Sequence, residues 1–420
     1  MIKIKNVQTF NFDNIPIESY WNSSKDNELK IHQIHAYPAK FPAFVTTKAI
    51  NYAKKKGISI HTIADIFCGC GTTAFEAKRN NIDYWGCDIN PVATMIARTK
   101  SRNYQIARLL KYYNIIISKY KKQEIKDVYD GACERLKYWY SKGQYNNLYY
   151  LRTKIIENTP KNSDYRNFFF CAFSNILKGS SRWLTKSIKP QIDPNKKPID
   201  VYTLFKGQCC KMLKAIEKLP FLGNSQNKIY TENFLDDSNN FPKTDMIITS
   251  PPYVISYEYA DLHQLSSLWL DFTDDYKKLR EGTIGSLHHV YNFDNEKSNL
   301  NITGLNVVNQ LIDKEKGKAK SVAKYFLDMQ MVVKKTYSLL NDNGMSFFII
   351  GNTEYKNVKI ENARHLAESM FAGGYKEISV AKRKISRKIL TPYRDKKGKF
   401  TTDENGRKVY NEEYIICGKK

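Results

Sequence analysis

The sequence predicts an α/β fold: an open, mostly parallel sheet of the nucleotide-binding type, closed by a C-terminal antiparallel hairpin and interrupted by a helical insertion. Three observations predict it. A β-branched run, Ser59 to Phe67, enters the glycine turn Cys68-Gly69-Cys70-Gly71 and continues as a helix. A second buried run, Met246-Ile247-Ile248, ends in Thr249-Ser250-Pro251-Pro252-Tyr253. Between them, in residues 101–223, glycine becomes scarce and apolar residues recur at helical spacing.

Taken in order, residues 1–30 are polar with scattered aromatics and suggest no role. In His35-Ala36-Tyr37-Pro38-Ala39-Lys40-Phe41-Pro42-Ala43-Phe44, two prolines four apart force an extended, turning path before a helix over 45–54. The aromatic content suits packing on something flat. After the glycine turn, a strand over 82–89 carries Asp88, 17 residues beyond Gly71. Glycines let the backbone pass close under a ligand, and a helix N-terminus offers free N–H groups. A carboxylate at the tip of the second strand can accept both hydroxyls of a ribose. Gly69-x-Gly71-x-x-Ala74 also satisfies the loose dinucleotide fingerprint, so spacing alone leaves the nucleoside cofactor open.

Within 101–223, Val201, Leu204, Phe205, Cys209, Met212, Leu213, Ile216 and Leu219 form one helical stripe, and Phe168 to Leu177 belong to another. Such aromatic stripes read as core. The sheet resumes at Lys228-Ile229-Tyr230, followed by a turn with Asp236, and then the Ser-Pro-Pro-Tyr strand. A helix is expected over 257–272; its His263 reads as a packing residue. Residues 273–320 are polar and weakly patterned, as in a functional or partly disordered loop. Helices over 322–340 and 362–372 flank a strand at 345–350, entered through Asp342-Asn343-Gly344. Two long strands, 376–389 and 409–417, finish the chain, with Asn405-Gly406 favouring a tight turn.

Pro-Pro after a strand is often only a breaker. Here a small hydroxyl precedes the pair and an aromatic ring follows it, which suits a planar amine: acceptors at its edge, a ring on its face. The net charge of +25 points to a polyanionic partner, nucleic acid first. Only 14 of the 67 basic residues are arginine, and a coding bias toward Lys, Asn, Ile and Tyr produces the same excess. Arg383, Arg387 and Arg394, three within twelve residues, are therefore a better phosphate-contact signal than lysine density. Eight cysteines without Cys-x-x-Cys spacing argue against zinc and for a reducing compartment. With no signal-type or membrane-length apolar run, a soluble, cytoplasmic protein is expected, with no membrane partner.

Together these segments resemble the S-adenosylmethionine-dependent DNA amino-methyltransferases. Asp65-x-Phe67-x-Gly69-x-Gly71-Thr72 is similar to the family's cofactor motif, and Asp88 stands where its ribose-binding acid stands. Ser250-Pro251-Pro252-Tyr253 matches the catalytic (Asp/Asn/Ser)-Pro-Pro-(Tyr/Phe) motif. The segment around Tyr37, with Phe41-Pro42, resembles the element covering the methionine end of the cofactor. The resemblance implies a Rossmann-like methyltransferase sheet and S-adenosyl-L-methionine as cofactor. It also implies double-stranded DNA as substrate and a flipped target base stacked on Tyr253, with a cognate restriction endonuclease as a further partner. Asp236 joins the expected cofactor site. The catalytic domain is expected over 1–100 and 224–420. The insertion 101–223 and the stretch 273–320 are the candidate target-recognition regions. In the family, Ser at the first motif position goes mostly with cytosine N4, and Asp or Asn mostly with adenine N6. A neutral hydroxyl could also donate to cytosine N3. An RNA amino-methyltransferase, usually with Asp or Asn there, and a DNA-binding protein with a degenerate methyltransferase fold are the rival expectations.

Overall fold

A computed structural model describes the chain except residues 23–27, 39, 220–221, 255–257, 288–290, 386–392, 395–399, 404–406 and 409–410. Its centre is one eight-stranded sheet. In chain order the strands are β1 (Ile2–Ile4), β2 (Thr62–Asp65), β3 (Asp83–Cys87), β4 (Asn227–Tyr230), β5 (Thr244–Thr249), β6 (Leu340–Ile350), β7 (Glu377–Lys384) and β8 (Glu412–Lys419). Across the sheet they run β1-β7-β8-β6-β5-β2-β3-β4. The five strands from β6 to β4 are parallel; β8, β7 and β1 are antiparallel to their neighbours. Strand order departs in opposite directions from β2, to β3 on one side and β5 on the other. The carboxyl ends flanking that switch point are where open α/β sheets bind ligands.

Period-two alternation splits the core between the two faces. Met246 and Ile248 of β5, with Phe347 and Ile349 of β6, bury against α1 (Ala43–Lys55) and α2 (Thr72–Arg79). Ile247, Phe348 and Ile350 point the other way, toward α8 (Ile302–Ile312), α9 (Lys316–Leu339) and α10 (Asn362–Ala372). Helix α3 (Pro91–Lys100) begins with proline at its first position, and the Asn90 side chain accepts the Val92 N–H at 3.0 Å. Four longer helices make the insertion: α4 (Ile106–Lys122), α5 (Lys142–Asn158), α6 (Asp164–Ile176) and α7 (Val201–Glu217). Their apolar residues form one cluster with Phe75 of α2 and Val92, Met95 and Ile96 of α3. The insertion thus shares a core with the helices that follow the first two parallel strands.

Three stretches differ from expectation. The N-terminal residues are structured: β1 pairs with β7 as an edge strand, and Trp21 is fully buried beside Tyr52 and Phe347. A three-residue strand in a polar stretch is too short to show alternation. The weakly patterned 273–320 contains α8, capped by Asn301 and burying Val307, Val308 and Leu311. Its polar flanks dilute the periodicity in any longer window. The helix expected over 257–272 is two short ones, Tyr259–Leu262 and Gln264–Trp269, broken at His263. Asp271, at φ +54°, lies just beyond them. At 341–344 the chain bulges: β5 advances two residues while β6 advances five, with Asn343 left-handed at φ +62°.

Candidate active site

The cofactor motif is built at the end of β2. Gly71 has φ +76°, and a Cβ there would lie 2.6 Å from the Ala97 Cβ. Glycine therefore does two things: it permits the left-handed turn that opens α2 at Thr72, and it lets the turn sit against α3. Asp88, one residue past β3, accepts the Gly69 N–H at 2.9 Å and the Asn90 N–H at 2.8 Å. Burial raises its pKa to about 6, while those two N–H groups pull it down. The carboxylate is half-buried, so oxygen lone pairs remain for further donors.

Asp65 is fully buried. It accepts the Thr249 hydroxyl at 2.8 Å and the Phe67 N–H at 3.2 Å. Burial lifts its pKa to about 7 against these hydrogen bonds. This contact ties the glycine turn to the last residue of β5, one position before Ser250. Phe67 itself packs edge-on against Phe234, 6.5 Å between centroids.

Tyr37 lies over the turn, 3.6 Å from where a Gly69 Cβ would stand, and stacks on His263 at 5.0 Å and 16°. Burial, with Asp88 nearby, pushes its phenol well above the usual range. Burial lowers His263 to about 4, so the two stacked rings are both neutral near pH 7. The approach to Tyr37 is held by the insertion. Gln208 of α7 donates to the Ile34 carbonyl at 2.6 Å and accepts from Asn175 of α6 at 2.8 Å. Asn175 in turn accepts the Ala36 N–H at 2.8 Å, and Ser174 bonds both His35 and Ser266. Pro42 is the N-cap residue of α1, and Phe41 packs on the α1 side of the sheet.

The second cluster stands at the ends of β5 and β6. Ser250 Oγ donates to the Ile349 carbonyl at 3.0 Å, leaving the oxygen as an acceptor. The Pro252 carbonyl accepts the Tyr325 hydroxyl at 2.9 Å, whereas no described residue donates to the Pro251 carbonyl. Tyr253 lies against Gly351: a Cβ there would meet its ring at 3.1 Å. Its hydroxyl donates to Glu413 Oε1 at 3.0 Å. Burial raises that phenol, and the Glu413 carboxylate raises it further.

One sequence expectation is corrected here. Arg383 is no surface phosphate contact: it is 1% exposed and ion-paired with Glu413 at 2.6 Å. It stands one residue from the end of β7, opposite Glu413 of β8, with its side chain buried. Asp236 is exposed and folds its carboxylate onto the Ser238 N–H and hydroxyl, capping its own turn. Ser250's expected second role is also taken: its proton is already spent on Ile349. Arg387 lies outside the described residues, and Arg394 is placed only as backbone, in a two-residue strand. Sequence reasoning missed Tyr325, Glu413 and the Ser174-Asn175-Gln208 group. All lie in helices or strands whose local pattern spoke only of core.

The arrangement fits a nucleoside with an amino-acid tail. The half-buried Asp88 keeps free lone pairs beside the glycine turn that Tyr37 covers, and the acceptors of the second cluster lie across the Asp65–Thr249 bond. Among the described residues, no group of His, Cys, Asp or Glu is arranged to hold a metal ion. No helix of the described residues is long and apolar enough to cross a membrane.

Comparison with known proteins agrees. Residues 3–99 match the DNA methylase family N6_N4_Mtase. The type II methyltransferase M.MvaI of Kocuria varians is 21% identical over 368 residues, 78% of each chain. M.MjaII of Methanocaldococcus jannaschii, also a type II methyltransferase, is 31% identical over 100 residues, 24% of this chain and 18% of its own. Among solved structures, a precorrin-6y C5,15-methyltransferase from Geobacter metallireducens GS-15 aligns with 92% of this chain and 94% of its own. Identity there is 9% and the TM-score 0.30, too low to bear on function. The matched N-terminal segment and the relative aligned over 78% of each chain support an S-adenosylmethionine-dependent DNA methyltransferase that resembles the N4/N6 amino-methyltransferases.

Proposed function

We propose that this enzyme methylates the N4 amine of a cytosine flipped out of double-stranded DNA, at a specific sequence. S-adenosylmethionine supplies a methyl group already activated on a sulfonium, so the chain's own task is to bind, orient and raise the nucleophilicity of the amine. That lone pair is delocalised into the ring. Accepting its N–H protons at Ser250 Oγ and the Pro251 carbonyl favours a pyramidal nitrogen, and Tyr253 stacks on the extruded base. Asp88 holds the ribose of the cofactor, the Gly69–Thr72 turn lies under it, and Tyr37 with Phe41-Pro42 covers its methionine end. The observation that carries amine methylation, whichever base bears the amine, is the Ser250–Ile349 hydrogen bond, which leaves the serine oxygen as an acceptor beside a Pro251 carbonyl to which no described residue donates.

The choice of cytosine rests on the resemblance, in which Ser at this position goes mostly with N4. Adenine N6 is the second reading, and the same hydrogen bond favours it. With its proton committed, Ser250 presents what an Asp or Asn would present. Nucleosides from DNA modified in cells expressing the enzyme, identified by mass spectrometry, decide between them. N4-methylcytosine is expected, and N6-methyladenine as the only product overturns the assignment. The type II relatives further suggest a cognate restriction endonuclease and a cytoplasmic enzyme. Target recognition is assigned to the insertion and to 273–320, and Arg387 and Arg394 to phosphate contact.

A further inference from the structure

Tyr253 is fixed at both ends, and the second anchor lies far off in the chain. Its backbone follows Pro251-Pro252, with the Pro252 carbonyl tied to Tyr325. Its hydroxyl is held by Glu413, 160 residues away in β8. Glu413 is oriented by Arg383 of β7, whose Nε donates to Oε2 at 2.9 Å and whose second nitrogen reaches the same oxygen at 2.6 Å. The guanidinium also lies 5.7 Å from the centre of the Phe44 ring, at the start of α1. Its remaining nitrogen is buried without a hydrogen-bond partner among the described residues. A buried ion pair is weak evidence for stability, because desolvation offsets its attraction. A buried arginine that leaves one nitrogen unpaired is costlier still. Fixing the orientation of one carboxylate oxygen is a function that such an arrangement can serve.

We propose that Glu413 and Arg383 are positioning residues for methyl transfer, setting the plane of the Tyr253 ring above Gly351. The proposal rests on the reading of Tyr253 as the stacking platform for the flipped base. It adds that this enzyme depends on the phenol hydroxyl, although the resembling motif accepts phenylalanine at the same position. An aromatic ring fixed only at Cβ rotates about two bonds. Fixing the hydroxyl as well leaves one plane, and errors of about 0.5 Å or 10–20° are enough to spoil a site. Arg383 and Glu413 touch neither base nor cofactor; they act through Tyr253.

The test is steady-state transfer of tritiated methyl groups from S-adenosylmethionine to unmethylated plasmid DNA that the wild-type enzyme modifies. Tyr253→Phe removes only the hydroxyl and keeps the ring. It is expected to lower kcat about tenfold, as for loss of a hydrogen bond to a charged group. KM for S-adenosylmethionine should stay within twofold, a split that general loosening of the fold would not give. Glu413→Gln should lower kcat by a smaller factor and, added to Tyr253→Phe, lower it no further, because both act through one contact. Wild-type kcat in Tyr253→Phe overturns the proposal, as does full additivity of the two changes. Tyr253→Ala keeps the outcomes apart. If it also turns over normally, the stacking role itself is wrong; if it fails while Tyr253→Phe is normal, only the anchor is.

Discussion

The cofactor end and the catalytic end of the sheet lie one strand apart, yet they are built by different means. At the cofactor end the shaping contacts are mostly local: Asp88 to Gly69 and Asn90, Asp65 to Phe67, all within 26 residues of sequence. At the catalytic end every support is remote, at separations of 73, 99 and 160 residues, for Tyr325, Ile349 and Glu413. A local site tolerates sequence drift elsewhere in the chain, because its geometry is set by a turn and a helix start. A remote one depends on the register of three other elements. The comparison teaches that binding and chemistry should be separable by mutation here.

The largest effect that sharpens this contrast is on cofactor affinity. Asp88→Ala should weaken S-adenosylmethionine binding by about 1.5–3 kcal/mol, roughly 10- to 150-fold, measured by calorimetry. In the wild type, affinity should fall as pH drops through about 6, because a protonated Asp88 loses acceptor capacity. Unchanged affinity in a folded Asp88→Ala variant would take this residue out of the site.

A smaller effect concerns the Asp65–Thr249 bond, where the two ends meet. Thr249→Val keeps the shape and removes the donor, and should cost about 1–3 kcal/mol in urea unfolding. The native pKa of Asp65, about 7, lies above its unfolded value of about 3.9. Over that interval the native state therefore binds more protons, and this group's contribution to stability falls as pH rises toward and through 7. Losing the Thr249 donor raises the native pKa further, so the deficit of Thr249→Val should be larger at pH 8 than at pH 6. An equal deficit at both would mean that the carboxylate is not ionised in the folded protein.

The smallest effect is remote control of the cofactor end by the insertion. Asn175→Ala removes the hold on the Ala36 N–H and on Gln208. It should weaken cofactor binding by about 1 kcal/mol, five- to tenfold, through the freed Tyr37 segment. If DNA binding falls instead while cofactor affinity stands, the insertion serves the target and not the cofactor.

Legibility in the sequence followed the same divide. Gly69, Gly71 and Asp88 could be read because strand, turn, helix and strand follow one another within residues 59–89. Ser250 to Tyr253 could be read because two prolines after a buried run are conspicuous. Glu413 and Arg383 could not: in the consecutive charged runs Lys382-Arg383-Lys384 and Glu412-Glu413, nothing marks which side chains are buried until the neighbouring strands are in place. The same holds for Ser174, Asn175 and Gln208, whose small polar side chains break an apolar helix without announcing a partner. The N-terminal edge strand was hidden by brevity, and α8 by its polar surroundings.

Strand β8 follows β7 in the chain but lies between β7 and β6 in the sheet. While the protein is being synthesised, β7 and the N-terminal β1 that pairs with it therefore have no place to dock until β8 has emerged. Until then β6 is an open edge, exposed to mispairing with other chains. The parallel half, with its glycine turn, can assemble earlier. Glu413 belongs to that late strand, so a nascent or truncated chain could hold the cofactor before it could present a fixed Tyr253. Order of assembly thus leaves the anchor of Tyr253 until last, when β8 pairs with β6 and β7.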